Sequence, residues 1–144
     1  MGGDLGLQQE QKCYEAIFLL QSRNWSFNGF SIFKFTRTYG HHNPKIRKLD
    51  GRKFDLVILF RHRNIEKSLV FVLQVKSTRK SYDRFKRSPT KRNIKCIWIR
   101  PSEPLKYVMA DLDMLFKEVL AVDHRKNKFL RPKLLHLFDN LKTP

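Results

Sequence analysis

Three residues of this chain have the types and positions to do chemistry: Asp55, Gln74 and Lys76. They interrupt two neighbouring apolar runs, Phe54-Asp55-Leu56-Val57-Ile58-Leu59-Phe60 and Leu69-Val70-Phe71-Val72-Leu73-Gln74-Val75-Lys76. Runs of this length, rich in Val, Ile, Leu and Phe and bounded by charged stretches, read as strands of a buried sheet. A polar or ionisable group there is costly unless it is paired or metal-bound. Side chains alternate along a strand, so Gln74 and Lys76 share one face while Val75 points into the other layer. Two oxygen donors and an ammonium at one point suit a hard divalent cation and a phosphodiester substrate.

The connection from Arg61 to Ser68 has hairpin length, so the two runs are expected to be antiparallel neighbours. Asp55 opens the first strand and Gln74 closes the second, which brings both to one end of the sheet with Lys76 beside them. Before them, residues from about Gln8 to Ser22 predict a helix, with Cys13, Ala16, Ile17 and Leu20 recurring at spacings of three and four. Glu15 is read at the edge of that apolar face. Trp25 to Thr38 alternates apolar with polar residues and contains Gly29, which predicts an early strand entered through a turn. Tyr39 to Lys53 is expected to be a loop.

After the second run, the stretch from Arg79 to Lys95 predicts a short helix that stops before Pro89. Ile94 to Ile99 predicts a strand ended by Arg100-Pro101 and lying parallel to the Gln74 strand through a crossover. A helical period returns from Leu105 to about Val122, and Leu134 to Leu141 is expected to form a last helix after Pro132. These elements make one α/β domain over residues 1–144, with a core of about 8–122 and a C-terminal helical extension of about 123–144.

An acid on one strand followed by Gln74-Val75-Lys76 on the next resembles the PD-(D/E)XK nuclease superfamily. The third motif there is commonly Glu-x-Lys, and the form in this chain is similar to the Gln-x-Lys subset of Mrr-type restriction endonucleases. Asp55, in Phe54-Asp55-Leu56-Val57, matches the metal-binding aspartate, and the proline that often precedes it is absent. A helix leading directly into a sheet further resembles the small archaeal Holliday-junction resolvases, whose first helix carries a metal-binding glutamate; Glu15 is its match, with Glu10 as the alternative on the same helix. The likeness spans roughly residues 10 to 100.

This resemblance implies a restriction-endonuclease-like mixed central sheet flanked by helices, with an αβββαβ core and extra C-terminal helices. It implies a divalent-metal-dependent DNA endonuclease, structure-selective in its resolvase version, which would work as a homodimer on branched DNA. Asp55, the Gln74 side-chain carbonyl, the Val75 main-chain carbonyl and Glu15 would hold Mg²⁺ or Mn²⁺, and Lys76 would orient the attacking water. Gln in place of Glu removes one negative charge from the ligand set and lowers metal affinity unless Glu15 or another carboxylate enters. Glu66, in the hairpin connection, lies at the wrong end. A second reading therefore stands beside the first: a non-catalytic nucleic-acid-binding protein on a degenerate nuclease fold. A restriction- or repair-type endonuclease is a third version.

Charge points to the partner independently of any family. Thirty Lys and Arg against thirteen Asp and Glu among 144 residues give a formal charge of +17, which calls for a polyanion such as nucleic acid. The expected grips are the basic stretch with Lys45, Arg47, Lys48, Arg52 and Lys53, and the later one with Arg79, Lys80, Arg84, Lys86, Arg87, Lys91 and Arg92. Tyr39, Tyr82 and Phe85 lie among these cations, where bases could stack on them. His41-His42 reads as a solvated loop pair near phosphate. No run approaches the eighteen or so apolar residues of a transmembrane helix, and the start lacks a secretory pattern, so a cytoplasmic or nucleoid-associated location and no membrane partner are expected. Cys13 and Cys96 lie in apolar patterns and are expected to be buried free thiols.

Overall fold

Apolar residues every three or four positions set the first element. In the computed structural model, which describes residues 2–38, 48–49, 52–88, 94–121 and 130, helix α1 spans Gly2–Ser22 and buries Cys13, Ala16, Ile17 and Leu20. It begins six residues before the expected start at Gln8, in a stretch whose Leu5 and Leu7 are only half-buried. Asn24, at φ 58°, ends it: the Asn24 N–H donates to the Gln21 carbonyl and the Trp25 N–H to the Leu20 carbonyl, both at 3.0 Å.

The single early strand is in fact a hairpin. Strand β1 (Ser26–Phe27) and strand β2 (Phe30–Arg37) are antiparallel, joined by Asn28 and Gly29 at φ 54° and 86°. Two positive φ angles are what a type I′ turn demands, and Asn-Gly is the dipeptide that supplies them most cheaply. The expected loop from Tyr39 to Lys53 also contains structure. Lys48–Leu49 (β3) and Arg52–Lys53 (β4) form a separate two-stranded antiparallel ribbon.

Strand β5 (Leu56–His62) runs through a short 3₁₀ turn at Ile65–Lys67 into strand β6 (Leu69–Lys76). The two pair antiparallel from Phe60↔Leu69 to Leu56↔Leu73. Helix α2 (Arg79–Arg87), capped by the Thr78 side chain, crosses over to strand β7 (Lys95–Trp98), which lies parallel to β6. Helix α3 (Leu105–Ala121) follows. The five-stranded mixed sheet has the order β1-β2-β5-β6-β7. The described elements follow in the order α1, β1, β2, β3, β4, β5, β6, α2, β7 and α3, a mixed α/β arrangement of the expected class.

Alternation along the strands divides the core into two layers. Leu56, Ile58, Phe60, Leu69, Phe71, Leu73 and Val75 cluster with α1 and α3. Val57, Leu59, Val70, Val72 and Cys96 cluster on the other face with Phe85 of α2. Phe116 of α3 anchors the first layer edge-on to Phe60 and Phe71, at ring distances of 5.0 and 5.8 Å. Strand β7 covers only Leu73 to Lys76 of β6; further back along the same strand, Phe71 pairs with the buried Leu130 through an isolated antiparallel bridge. Cys13 and Cys96 are buried free thiols, as expected. The expected helix from Leu134 to Leu141 lies outside the described residues. Among the described residues no helix is long and apolar enough to cross a membrane.

Candidate functional site

Just beyond the registered pair Leu56↔Leu73, Asp55 and Gln74 both lie at the end of the central hairpin. The Asp55 main chain joins the sheet on both sides: its N–H donates to the Leu73 carbonyl and its carbonyl accepts from the Thr38 N–H, each at 2.9 Å. Its carboxylate then takes the place of a strand carbonyl, accepting the Val75 N–H at 2.7 Å. That bond holds a half-buried carboxylate at the strand end and fixes its direction.

Helix α1 delivers a second carboxyl to the same point, and it is Glu10 rather than Glu15. Glu10 is 7% exposed and hydrogen-bonded to Asp55, with the Arg37 Nη2 3.4 Å from its Oε2. Glu15 is exposed, five residues further along the helix, and accepts instead from the Gln11 amide at 3.3 Å. Five residues turn a helix by about 140°, so the two acids cannot face the sheet together. The signal for the right one is present in the sequence: Glu10 continues the stripe of Cys13, Ile17 and Leu20 by one step of three.

Burial, then the charge and hydrogen bond of Asp55, push the Glu10 carboxyl up from its ordinary value of 4.5 to about 7, against the opposing pull of Arg37. Two neighbouring carboxyls cannot both ionise cheaply, so Glu10 holds its proton to a higher pH than a free carboxyl does. Complete burial, and after it the neighbouring Asp55 and Glu10 carboxyls, push the Cys13 thiol up, which leaves it an inert apolar filler beneath the site. Arg37, which sequence reasoning does not single out, also donates from Nη1 to the Gln11 side-chain carbonyl at 2.8 Å, while its buried Nε has no partner.

Gln74 carries the most informative atom. Its Oε1 is buried and has no hydrogen-bond partner. An unmet buried acceptor costs about 1–3 kcal/mol, and such groups in folded proteins call for a water, an ion or a ligand. Lys76 shares the Gln74 face, half-buried, and its ammonium lies 6.0 Å from the Phe85 ring centroid. No ion pair joins it to Asp55 or Glu10 among the described residues. Val75 faces the opposite layer, buried with α1 and α3.

The basic residues of α2 lie next to this end of the sheet. Arg79, Lys80, Arg84, Lys86 and Arg87 are exposed on a helix that buries Phe85 against β6 and β7. Asp83 pairs with Arg79 at 3.7 Å, and Lys86 lies 5.3 Å from the Tyr82 ring. Tyr82 in turn stands 6.4 Å from Trp98, which is half-buried and holds the Arg100 guanidinium at 4.9 Å. Lys48, Arg52 and Lys53 belong to the β3–β4 ribbon, whereas Lys45, Arg47, Lys91, Arg92, Tyr39 and the His41-His42 pair lie outside the described residues. Glu66 is exposed in the hairpin connection, at the opposite end of β5.

Among the described residues no group of three or more His, Cys, Asp or Glu side chains is arranged to hold a metal ion. The oxygen donors at this end of the sheet are the Asp55 carboxylate, the Glu10 carboxyl delivered by α1, and the Gln74 amide carbonyl on the α2-side face. Comparison with known proteins finds no family model, no curated protein and no solved structure that matches this chain.

Proposed function

We propose that the chain is a divalent-metal-dependent endonuclease built on a restriction-endonuclease-like core. The observation that carries this reading is the acid pair Asp55–Glu10 at the same end of the β5–β6 hairpin as a buried Gln74 Oε1 that has no hydrogen-bond partner. All three offer oxygen, the donor that Mg²⁺ and Mn²⁺ prefer, and an orphaned carbonyl at the same strand end as two carboxyls is the kind of acceptor a hard cation satisfies. The αβββαβ succession and the parallel β6–β7 pair are those expected of the scaffold. The exposed cations of α2 support nucleic acid as the substrate.

Asp55, Gln74 and Glu10 would hold the cation, with the Val75 carbonyl as a further main-chain donor. When bound, such an ion lowers the pKa of a coordinated water and neutralises charge growing on the phosphate. The residues do the rest. Asp55, tied to the Val75 N–H, keeps its carboxylate from rotating away. Glu10 gives up its proton on ionising and so restores the charge that Gln74, being neutral, does not provide. Lys76, on the Gln74 face, orients the attacking water and a phosphate oxygen. The water oxygen bonds to phosphorus as its proton passes to solvent, the P–O bond to the leaving strand breaks, and the departing oxygen takes a proton from solvent.

Cleavage of a labelled four-way junction, a matched linear duplex, single-stranded DNA and RNA in Mg²⁺, Mn²⁺ and EDTA tests this, with Asp55→Ala and Lys76→Ala alongside. Metal-dependent cutting lost in both variants is expected, and a preference for the junction selects the resolvase version acting as a homodimer. Tight binding without cutting under either metal would overturn the enzyme and leave a binding protein.

A further inference from the structure

The strongest unassigned feature is an open cleft of about 520 Å³ at the far end of β5, lined by Ser26, Ser31, Arg61, His62 and Arg63. No carboxylate lines it, and among the described residues neither guanidinium is paired with one. Arg61 and Arg63 are exposed, and Arg61 lies over the Phe33 ring at 4.6 Å, which holds its planar fork in place.

The cleft is built rather than accidental. His62 meets Phe30 edge-on at 4.6 Å, and its Nδ1 accepts the Asn64 N–H at 2.9 Å. The neutral ring must then carry its proton on Nε2, where it is a donor. That nitrogen occupies the space beside Gly29: a Cβ there would stand 2.5 Å from it, and Gly29 already has φ 86°. The positive-φ turn and the imidazole therefore fit each other. The Ser31 hydroxyl donates to the Arg61 carbonyl at 3.4 Å; the Ser26 hydroxyl, two guanidiniums and an imidazole N–H form a donor-rich concavity suited to a phosphate.

Its position links it to the site at the other end of the strand. Arg61 follows Val57 and Leu59 on the α2-side layer, the layer whose face Gln74 and Lys76 share. Seven residues separate Asp55 from His62, a span of about 23 Å at 3.3 Å per residue. That is about seven base pairs of duplex at 3.4 Å rise. We propose that this cleft is an outlying phosphate-binding site that grips a nucleic-acid backbone about seven base pairs from the phosphate beside Asp55. The inference rests on the nucleic-acid reading above and extends it along the sheet.

Fluorescence anisotropy with a duplex of about 20 base pairs in EDTA, across a range of salt, measures it, since each phosphate contact adds about 0.9 to the slope of log affinity against log salt. Arg61→Gln/Arg63→Gln is compared with wild type and with Arg84→Gln/Arg87→Gln. The cleft variant is expected to bind about tenfold or more weakly near 0.1 M salt and to lose about 1.8 of slope. The duplex is also expected to shift the wild-type Gly29 amide resonance. Unchanged affinity and slope in the cleft variant, with weakened binding in the α2 variant, would overturn the cleft while keeping the nucleic-acid reading. A Gly29 shift caused by inorganic phosphate and not by duplex would assign the cleft to a small phosphate and overturn the backbone role. Absence of duplex binding by all three proteins would overturn both.

Discussion

Replacing Glu10 by Gln isolates the physical state of the acid pair in EDTA, where no metal chemistry operates. The wild-type carboxyl titrates near 7 in the folded protein and near 4.5 in the unfolded chain. Below the lower value both states hold the proton and the pair contributes no pH dependence. As pH rises between the two values the unfolded chain releases its proton while the folded protein keeps it, so stability falls; above about 7 the full cost of two adjacent carboxylates is present. At about 1.4 kcal/mol per pH unit, the move from 4.5 to about 7 amounts to on the order of 3 kcal/mol. The Glu10 side chain is 9% exposed, so little of this is screened by water. The amide introduced by Glu10→Gln cannot ionise, yet its nitrogen can still donate to Asp55 and its carbonyl accept from Arg37. Urea unfolding in EDTA at a series of pH values should show the variant close to wild type near pH 4.5 and more stable by about 2–3 kcal/mol at pH 8. A stability difference that stays constant from pH 5 to pH 8 would refute the reasoning, because Glu10 would then not be titrating against Asp55.

The reciprocal substitution, Asp55→Asn, keeps an acceptor for the Val75 N–H and removes the charge that helps hold the Glu10 proton; Glu10 should ionise at a distinctly lower pH, which carboxyl-carbon NMR titration would report. Gly29→Ala forces a Cβ to within 2.5 Å of the His62 Nε2 at φ 86°. It should cost about 1–3 kcal/mol in denaturant unfolding and displace the His62 ring resonances, whereas an effect near zero would mean that the turn and the imidazole are not packed together.

The parts of the site that are legible in the sequence are those set by local alternation. Asp55 and Gln74 interrupt apolar runs whose period is two, and a connection of hairpin length is enough to place the two residues together. The helix acid is harder to read because its position depends on the phase of α1 against the sheet. Glu15 sits near the apolar stripe when viewed along the sequence, but the stripe that is buried runs through Glu10, Cys13, Ile17 and Leu20. Arg37 is hidden for a related reason: its role comes from a neighbouring element, and nothing in its own strand marks it. The β1–β2 hairpin goes unread although its turn dipeptide, Asn28-Gly29, stands plainly in the sequence, because the alternation around it is short and irregular. The register slips between Ile32 and Lys34, which breaks the period in the middle of β2. The unmet acceptor on Gln74 has no sequence signature, since burial and the lack of a partner are both properties of the assembled fold.

The bridge between Phe71 and Leu130 bears on where this polypeptide can be shortened. Strand β7 leaves the middle of β6 without a neighbour on that side, and Leu130 is what closes it. A chain ending at Ala121 would keep every residue of the acid pair and both basic faces, yet it would uncover main-chain donors and acceptors beside an open apolar slot. Such an edge recruits strands from other molecules. The smallest fragment able to remain dispersed at high concentration is therefore set by Leu130, some distance in sequence from Glu10, Asp55 and Gln74.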